Sequence, residues 1–187
     1  MNIFRLDDDP VKAAQLQCDK HVVKMIVESA QMLSTAHRVL DGKKIKRLSP
    51  KGMRLSYWLH EYDDVLYKAV HVNHPSTVWT RESKDNYLWH YKHFIALCDE
   101  YTYRYDKVHK TYEKLFKILG IVPHNIPDIG YTPFKLAMGS NPECMIKNDS
   151  VKSYRLFYLT KQKRFDMVWT KRSIPEWFTH TNTPQGK

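Results

Sequence analysis

Residues 18–40 read Cys-Asp-Lys-His-Val-Val-Lys-Met-Ile-Val-Glu-Ser-Ala-Gln-Met-Leu-Ser-Thr-Ala-His-Arg-Val-Leu. Cys18, Val22, Met25, Ser29, Met32 and Ala36 recur in steps of three and four, flanked by Ile26, Leu33 and Leu40. That period places one face of an α-helix in a core. Upstream, Asp7-Asp8-Asp9-Pro10 is a helix start, with acids that complement the N-terminal dipole and a proline suited to the first turn. The spacing therefore predicts one helix from Pro10 to Leu40, closed by Asp41-Gly42.

Outward from this helix the same period continues. Lys43 to Gly52 reads as a short loop, followed by a second amphipathic helix carrying Leu55, Trp58, Leu59, Tyr62, Leu66 and Ala69. His74-Pro75 breaks that pattern, and Pro75 opens the next helix. Leu88, Tyr91, Ile95, Cys98, Tyr101, Tyr105, Val108, Tyr112, Leu115 and Leu119 then keep steps of three and four. An unbroken helix of that length would span roughly 50 Å, so a break is expected near Tyr105-Asp106. Residues 121–148, with Pro123, Pro127, Pro133 and Pro142, read as a loop. A further helix is expected from Asp149 to about Phe165, with Pro175-Glu176-Trp177-Phe178 docked on the body and residues 179–187 frayed. The expectation is an all-α fold: a compact single-domain helical bundle over residues 1–178, with a Pro-containing loop and an aromatic C-terminal tail.

The chain has 187 residues, 42% hydrophobic and 13% aromatic, enough for one real core. No run of 18 apolar residues suggests a membrane span, and the first ten residues do not read as a secretory signal. Cys18, Cys98 and Cys144 are odd in number and widely spaced, which points to free thiols in a reducing cytoplasm. Glycine-rich phosphate loops, nucleophile elbows and His-Glu-x-x-His motifs are absent from the sequence, so ATP, nicotinamide and serine-hydrolase chemistry have no support and no cofactor is expected.

His21, Lys24, Glu28, Gln31 and Thr35 share one helical face beside the apolar row. A base, an ammonium and a carboxylate at the edge of a core are the components of acid–base catalysis. A solvated face with a Lys24–Glu28 pair at i,i+4 is the plainer account, and spacing alone favours it. A second group, His71, Asn73, His74, Ser76 and Thr77 with Arg81 one turn on, lies at a helix start where it would bind phosphate or merely cap the helix. Cys18 with His21 and His71 with His74 share an i,i+3 interval, but Cys18 belongs to the apolar row and no Cys-x-x-Cys knuckle exists, so no metal is expected.

The formal charge of +10 is concentrated. Residues 41–54 carry Lys43, Lys44, Lys46, Arg47, Lys51 and Arg54 against one acid; residues 152–172 carry Lys152, Arg155, Lys161, Lys163, Arg164, Lys171 and Arg172 against one. Two such clusters suit a nucleic-acid backbone, and DNA is the expected partner. Tyr154, Phe157, Tyr158, Trp169, Trp177 and Phe178 interleave the second cluster and would stack on bases unless they are core.

The run Cys18-Asp19-Lys20-His21-Val22-Val23-Lys24-Met25 with Glu28, then Asn73-His74-Pro75 and the aromatic-rich long helix, resembles a family of largely uncharacterised phage and bacterial proteins. More distantly it is similar to the pyrimidine-dimer DNA glycosylases of the phage endonuclease V type, small basic all-α enzymes. Those carry a His followed seven residues later by the catalytic Glu, the interval between His21 and Glu28. The resemblance implies a glycosylase-like enzyme acting on a modified or damaged base in DNA, in the host cytoplasm if phage-encoded. Glu28, His21 and Lys24 would be catalytic. Lys20, His74, Ser76, Thr77, Arg81, Lys43, Lys44, Lys46, Arg47, Arg155, Lys163 and Arg164 would hold nucleic acid or phosphate. Those enzymes use an α-amino nucleophile on a small second residue; here residue 2 is Asn, so Lys20 or Lys24 would supply the imine-forming amine of any lyase step. The alternatives are an accessory protein that binds nucleic acid or a host protein without catalysis, and an enzyme of free nucleotides.

Overall fold

The computed structural model describes residues 1–50 and 52–179; the expected frayed tail lies outside the described residues beyond Thr179. Among the described residues six helices run α1 (Pro10–Gln15), α2 (Asp19–Leu40), α3 (Pro75–Glu82), α4 (Lys84–Tyr105), α5 (Lys110–Leu119) and α6 (Ser150–Leu159). Short 3₁₀ turns span Pro142–Cys144 and Thr160–Lys163. Two strands, β1 (Lys43–Ser49) and β2 (Gly52–Trp58), pair antiparallel with Arg47 opposite Arg54 and Leu48 opposite Met53. The fold is therefore mixed, 48% helical and 7% strand, which corrects the all-α expectation.

The hairpin overturns two readings at once: the loop at 43–52 and the helix expected from Leu55 to Ala69. Residues 43–49 and 52–58 pair as strands, and residues 59–74 form an irregular connection with turns. The helical spacing of Leu55, Trp58 and Tyr62 is coincidental, because Leu55 is about half exposed on a strand. A lone two-stranded hairpin is marginal in water, and its base is held by α2. Arg38, on the last turn of α2, has no exposed side-chain surface and uses all five guanidinium N–H groups on the end of β2 and the segment that follows it. It donates to the carbonyls of Tyr57 (3.1 Å), Asp63 (2.8 Å), Leu66 (2.9 Å) and Tyr67 (2.7 Å), and to the Asp63 carboxylate. Burial works to raise the Asp63 carboxyl, but hydrogen bonds from Arg38 and Lys68 outweigh it and hold it well below the usual carboxylate range. Gly42 is required for the approach: a Cβ there would lie 2.4 Å from the Arg38 carbonyl oxygen and 2.8 Å from that of Trp58.

The expected first helix is broken in two. Asp9 caps α1 by accepting from the Val11 and Lys12 amides, and α1 ends at Gln15. The Cys18 amide then donates to the Tyr158 hydroxyl at 2.9 Å and the Asp19 amide to the Val168 carbonyl at 2.8 Å, starting α2 in a new direction. The helix expected from Asp149 to about Phe165 stops at Leu159 and passes into a 3₁₀ turn, and extended Ser83 separates α3 from α4; other boundaries follow the sequence. Pro75 opens α3 after its His74 cap, α4 stops at Tyr105, and Asp106 caps it in the left-handed region.

The apolar row of α2 is buried throughout, against Tyr87, Phe94 and Leu97 of α4, Leu115 and Leu119 of α5, and Trp79 of α3. The segment Ile3, Phe4 and Leu6 is buried against Tyr154, Phe157 and Tyr158 of α6. An ionic cluster fixes the C-terminal segment: Arg104 binds Glu100 and Asp19, and Arg172 grips Glu100 with bonds of 3.0 and 2.9 Å. No helix among the described residues is long and apolar enough to cross a membrane.

Four histidines lie in this interior. Burial pushes His21 down to about 3 and His37 and His93 to about 4, and pushes His90 well below its ordinary value. The unfolded chain protonates each near about 6.5, so it binds protons that the folded chain refuses. The stabilisation is complete above that value and is lost as pH falls through it. The melting temperature is expected to drop steadily between about pH 6.5 and 4, before the carboxylates titrate. A melting curve flat over that range would contradict this burial.

Candidate functional site around Glu28

The face of α2 that carries His21, Lys24 and Glu28 is not a plain solvated surface. It forms one wall of a cavity of about 430 Å³, closed by the head of the chain (Met1, Asn2, Phe4), the loop at Ala137–Asn141, and Phe157, Lys161, Arg164 and Phe165. Glu28 stands at its edge with a side chain 14% exposed. Its Oε2 accepts the Asn2 amide at 3.0 Å and lies 3.7 Å from the Met1 α-amine; its Oε1 lies 3.2 Å from Lys24 Nζ. Asn2 is itself pinned. Its side-chain amide donates to the Ala137 carbonyl at 3.0 Å, and its Oδ1 accepts the Tyr154 hydroxyl at 3.0 Å.

His21 is packed against Phe4, Tyr158 and Phe165, with ring centroids 4.7, 5.0 and 5.4 Å away. The Tyr158 hydroxyl accepts from the Cys18 amide at 2.9 Å and is hydrogen-bonded to His21 Nδ1 at 2.7 Å. Burial, with Lys24 and Lys161 nearby, keeps the imidazole neutral down to about pH 3. His21 is therefore a neutral imidazole, not a cation for phosphate. The rest of the stripe is structural: Thr35 Oγ1 donates to the Gln31 carbonyl at 2.7 Å and accepts the Val70 amide at 3.2 Å.

The His74 group approaches from the other side of Met1. Thr77 Oγ1 meets the Met1 sulfur at 3.5 Å. His74 is lowered first by burial, then by the α-amine and His71, and raised by Glu28. Its Nδ1 accepts the Ser76 amide at 3.3 Å, which is the capping role. Arg81 turns back onto the Thr77 carbonyl at 2.9 Å, and Ser76 and Thr77 have no exposed surface.

The expected nucleic-acid residues divide. Lys43, Lys44, Lys46 and Arg47 are exposed on β1, Lys163 and Arg164 are exposed after α6, and Lys20 lies over the Phe165 ring. Arg155 has a structural task instead, donating to the Leu6 carbonyl at 2.8 Å with Asp7 and Trp177 beside it. Tyr154, Phe157, Tyr158, Trp169 and Phe178 are core, which removes them as stacking platforms; Trp177 is half-buried. All three cysteines are free and buried, and no three metal-binding side chains converge among the described residues.

Two features escape a reading of the sequence. One is the head of the chain seated on Glu28. The other is Lys161, 9% exposed within the same cavity. The signal available for the second is the pair Tyr154 and Tyr158 at i,i+4, whose hydroxyls tie α6 to Asn2 and His21. A carboxylate flanked by two amines can take a proton from one of them and oppose positive charge on a reacting carbon. No protein-family model, curated protein or solved structure matches the chain.

Proposed function

We propose that the chain is a DNA-processing enzyme of N-glycosylase type, with Glu28 as its catalytic carboxylate. The observation that carries this reading is Glu28 at the edge of a cavity, 3.2 Å from Lys24 Nζ and 3.7 Å from the Met1 α-amine. A base flipped from the stack would enter this cavity, among Phe4, Phe157 and Phe165. Glu28 would oppose the oxocarbenium-like charge on the sugar as the base departs. One of the two amines, its proton passed to Glu28, would capture the sugar carbon as the base leaves; if a lyase step follows, the C1′–O4′ bond would break, O4′ taking a proton as a hydroxyl, and C1′ would form an imine with that nitrogen. The work would be done in the cytoplasm, where buried thiols stay reduced. Base release measured by mass spectrometry on ultraviolet-treated, deaminated and phage-modified DNA tests the reading. Borohydride trapping then assigns the amine by peptide mapping.

The hairpin is the natural arm for the duplex. Lys44 and Lys46 share one face with Leu48, Met53 and Leu55. The other face carries Arg47, which is drawn to Asp63 at 3.5 Å. A two-stranded ribbon fits the major groove. Replacing Lys43, Lys44 and Lys46 by Glu is expected to lower the slope of log affinity against log salt by about 2–3 while leaving the melting temperature in place. An unchanged slope would remove the hairpin from the interface. The same arm favours a second reading, a nucleic-acid-binding protein without catalysis. In that case this variant loses function and Glu28→Gln is silent.

A further inference from the structure

Among the described residues, the basic surplus lining the Glu28 cavity has no anion to match it. Lys161 is 9% exposed and its Nζ lies 3.4 Å from the centre of the Phe157 ring, yet among the described residues no carboxylate lies within ion-pair distance of it. Buried ammonium groups ordinarily have an acid partner, because an unpaired buried charge is costly. Lys20, Lys24 and Arg164 line the same cavity. Glu28, the one carboxylate in that lining, is already engaged by Lys24 and the Asn2 amide.

We propose that this cavity is a phosphate-binding pocket, in which Lys161, Arg164 and Lys24 take a phosphoryl group of a nucleotide. The counter-charge absent from the described residues arrives with the ligand. The side chains of Ser140 and Asn141 offer uncharged donors for the remaining oxygens. At about 430 Å³ the cavity suits a single nucleotide and not a folded segment. The electrostatics agree: burial lowers Lys161 to about 8, and Arg164 and Lys24 push it the same way while Cys144 opposes them. The other titratable groups on these walls are Lys20, His21 and Glu28 of α2 and the Met1 α-amine. An anion reverses that push, so binding draws a proton onto Lys161 and weakens as pH rises above about 8. The inference rests on the reading above only in taking the Glu28 cavity as the site.

Isothermal titration of the full chain with inorganic phosphate, thymidine 5′-monophosphate and a short DNA duplex, at low salt and pH 8, tests it. Wild type is expected to bind with net proton uptake. Lys161→Met should weaken binding at least tenfold while the melting temperature holds or rises, since an apolar side chain replaces an unpaired ammonium. Exposed Arg164→Gln, which does not touch the core, should weaken it several-fold. Loss of all three probes in these variants points to a site open to free nucleotides. Loss of duplex binding alone, with no wild-type affinity for the small probes, assigns the phosphate to the polymer backbone. Wild-type affinity in both variants, or no affinity of wild type for any probe, overturns the proposal. Glu28→Gln, titrated alongside, frees Lys24 from its ion pair and is expected to bind phosphate at least as tightly as wild type whether or not base release is ever observed, so the two readings fail separately.

Discussion

Arg38→Met is expected to cost about 4 kcal/mol and to lower the melting temperature by about 8–16 °C. The guanidinium is fully enclosed and each of its five N–H groups has an acceptor. Methionine fills much of the volume but leaves four carbonyl oxygens and the Asp63 carboxylate without those donors. Lys68 and Arg47 remain near Asp63, at 2.9 and 3.5 Å, so the carboxylate keeps some compensation. Of the four carbonyls, that of Asp63 keeps a donor from these residues, Lys68 Nζ at 3.0 Å. Arg38→Lys separates the two contributions: it returns a charge to Asp63 but cannot fork to four carbonyls, and should recover less than half of the loss. Hydrogen exchange should show amides of β2 opening first, because the Tyr57 carbonyl anchors that strand to α2. A melting temperature within about 2 °C of wild type would mean that the 57–67 segment is held by its apolar contacts instead.

Glu28→Gln should lower base release by on the order of 10³ while leaving DNA affinity within about twofold and the melting temperature unchanged. The substitution is nearly isosteric. A glutamine Oε1 still accepts the Asn2 amide that the carboxylate accepts at 3.0 Å, so the head of the chain keeps its seat. What disappears is the negative charge between Lys24 and the Met1 amine. A stabiliser of developing positive charge cannot act without it, nor can a base that receives the amine's proton. Base release by Glu28→Gln at the wild-type rate would remove Glu28 from the chemistry. Turnover absent from wild type on all three damaged DNAs, with binding kept, would favour the non-catalytic protein.

Much of the helical frame is legible in the sequence because its signals are local. Pro75 fixes where α3 begins, Asp106 fixes where α4 ends, and the row from Cys18 to Ala36 marks the buried face of α2. The hairpin is obscured because neither of its faces is core. Leu48, Met53 and Leu55 are exposed and alternate with cations, so strand alternation never separates inside from outside. Ser49-Pro50-Lys51-Gly52 carries turn composition, but a helical spacing downstream of it points the other way. The break between α1 and α2 escapes for a related reason: the bonds that redirect the chain come from Tyr158 and Val168. The site divides along the same line. His21, Lys24 and Glu28 share a helix, so their adjacency is written in their spacing. Whether that face meets water or a cavity depends on residues at the two ends of the chain, which no local pattern couples.

That coupling governs how the pocket comes into being during synthesis. Asn2 meets Tyr154 across 152 positions, and the Leu6 carbonyl meets Arg155 across 149. At about 5–20 residues per second, the first six residues wait roughly ten to thirty seconds for their partners to be translated. Through that interval Ile3, Phe4 and Leu6 have no α6 to cover them. α2 can form early from its own periodicity, but its polar face acquires an opposite wall only when the last helix emerges. A nascent chain stalled anywhere before α6 would carry Glu28 without its pocket, so a truncated product leaves the ribosome with the carboxylate in place and nothing to enclose what it meets.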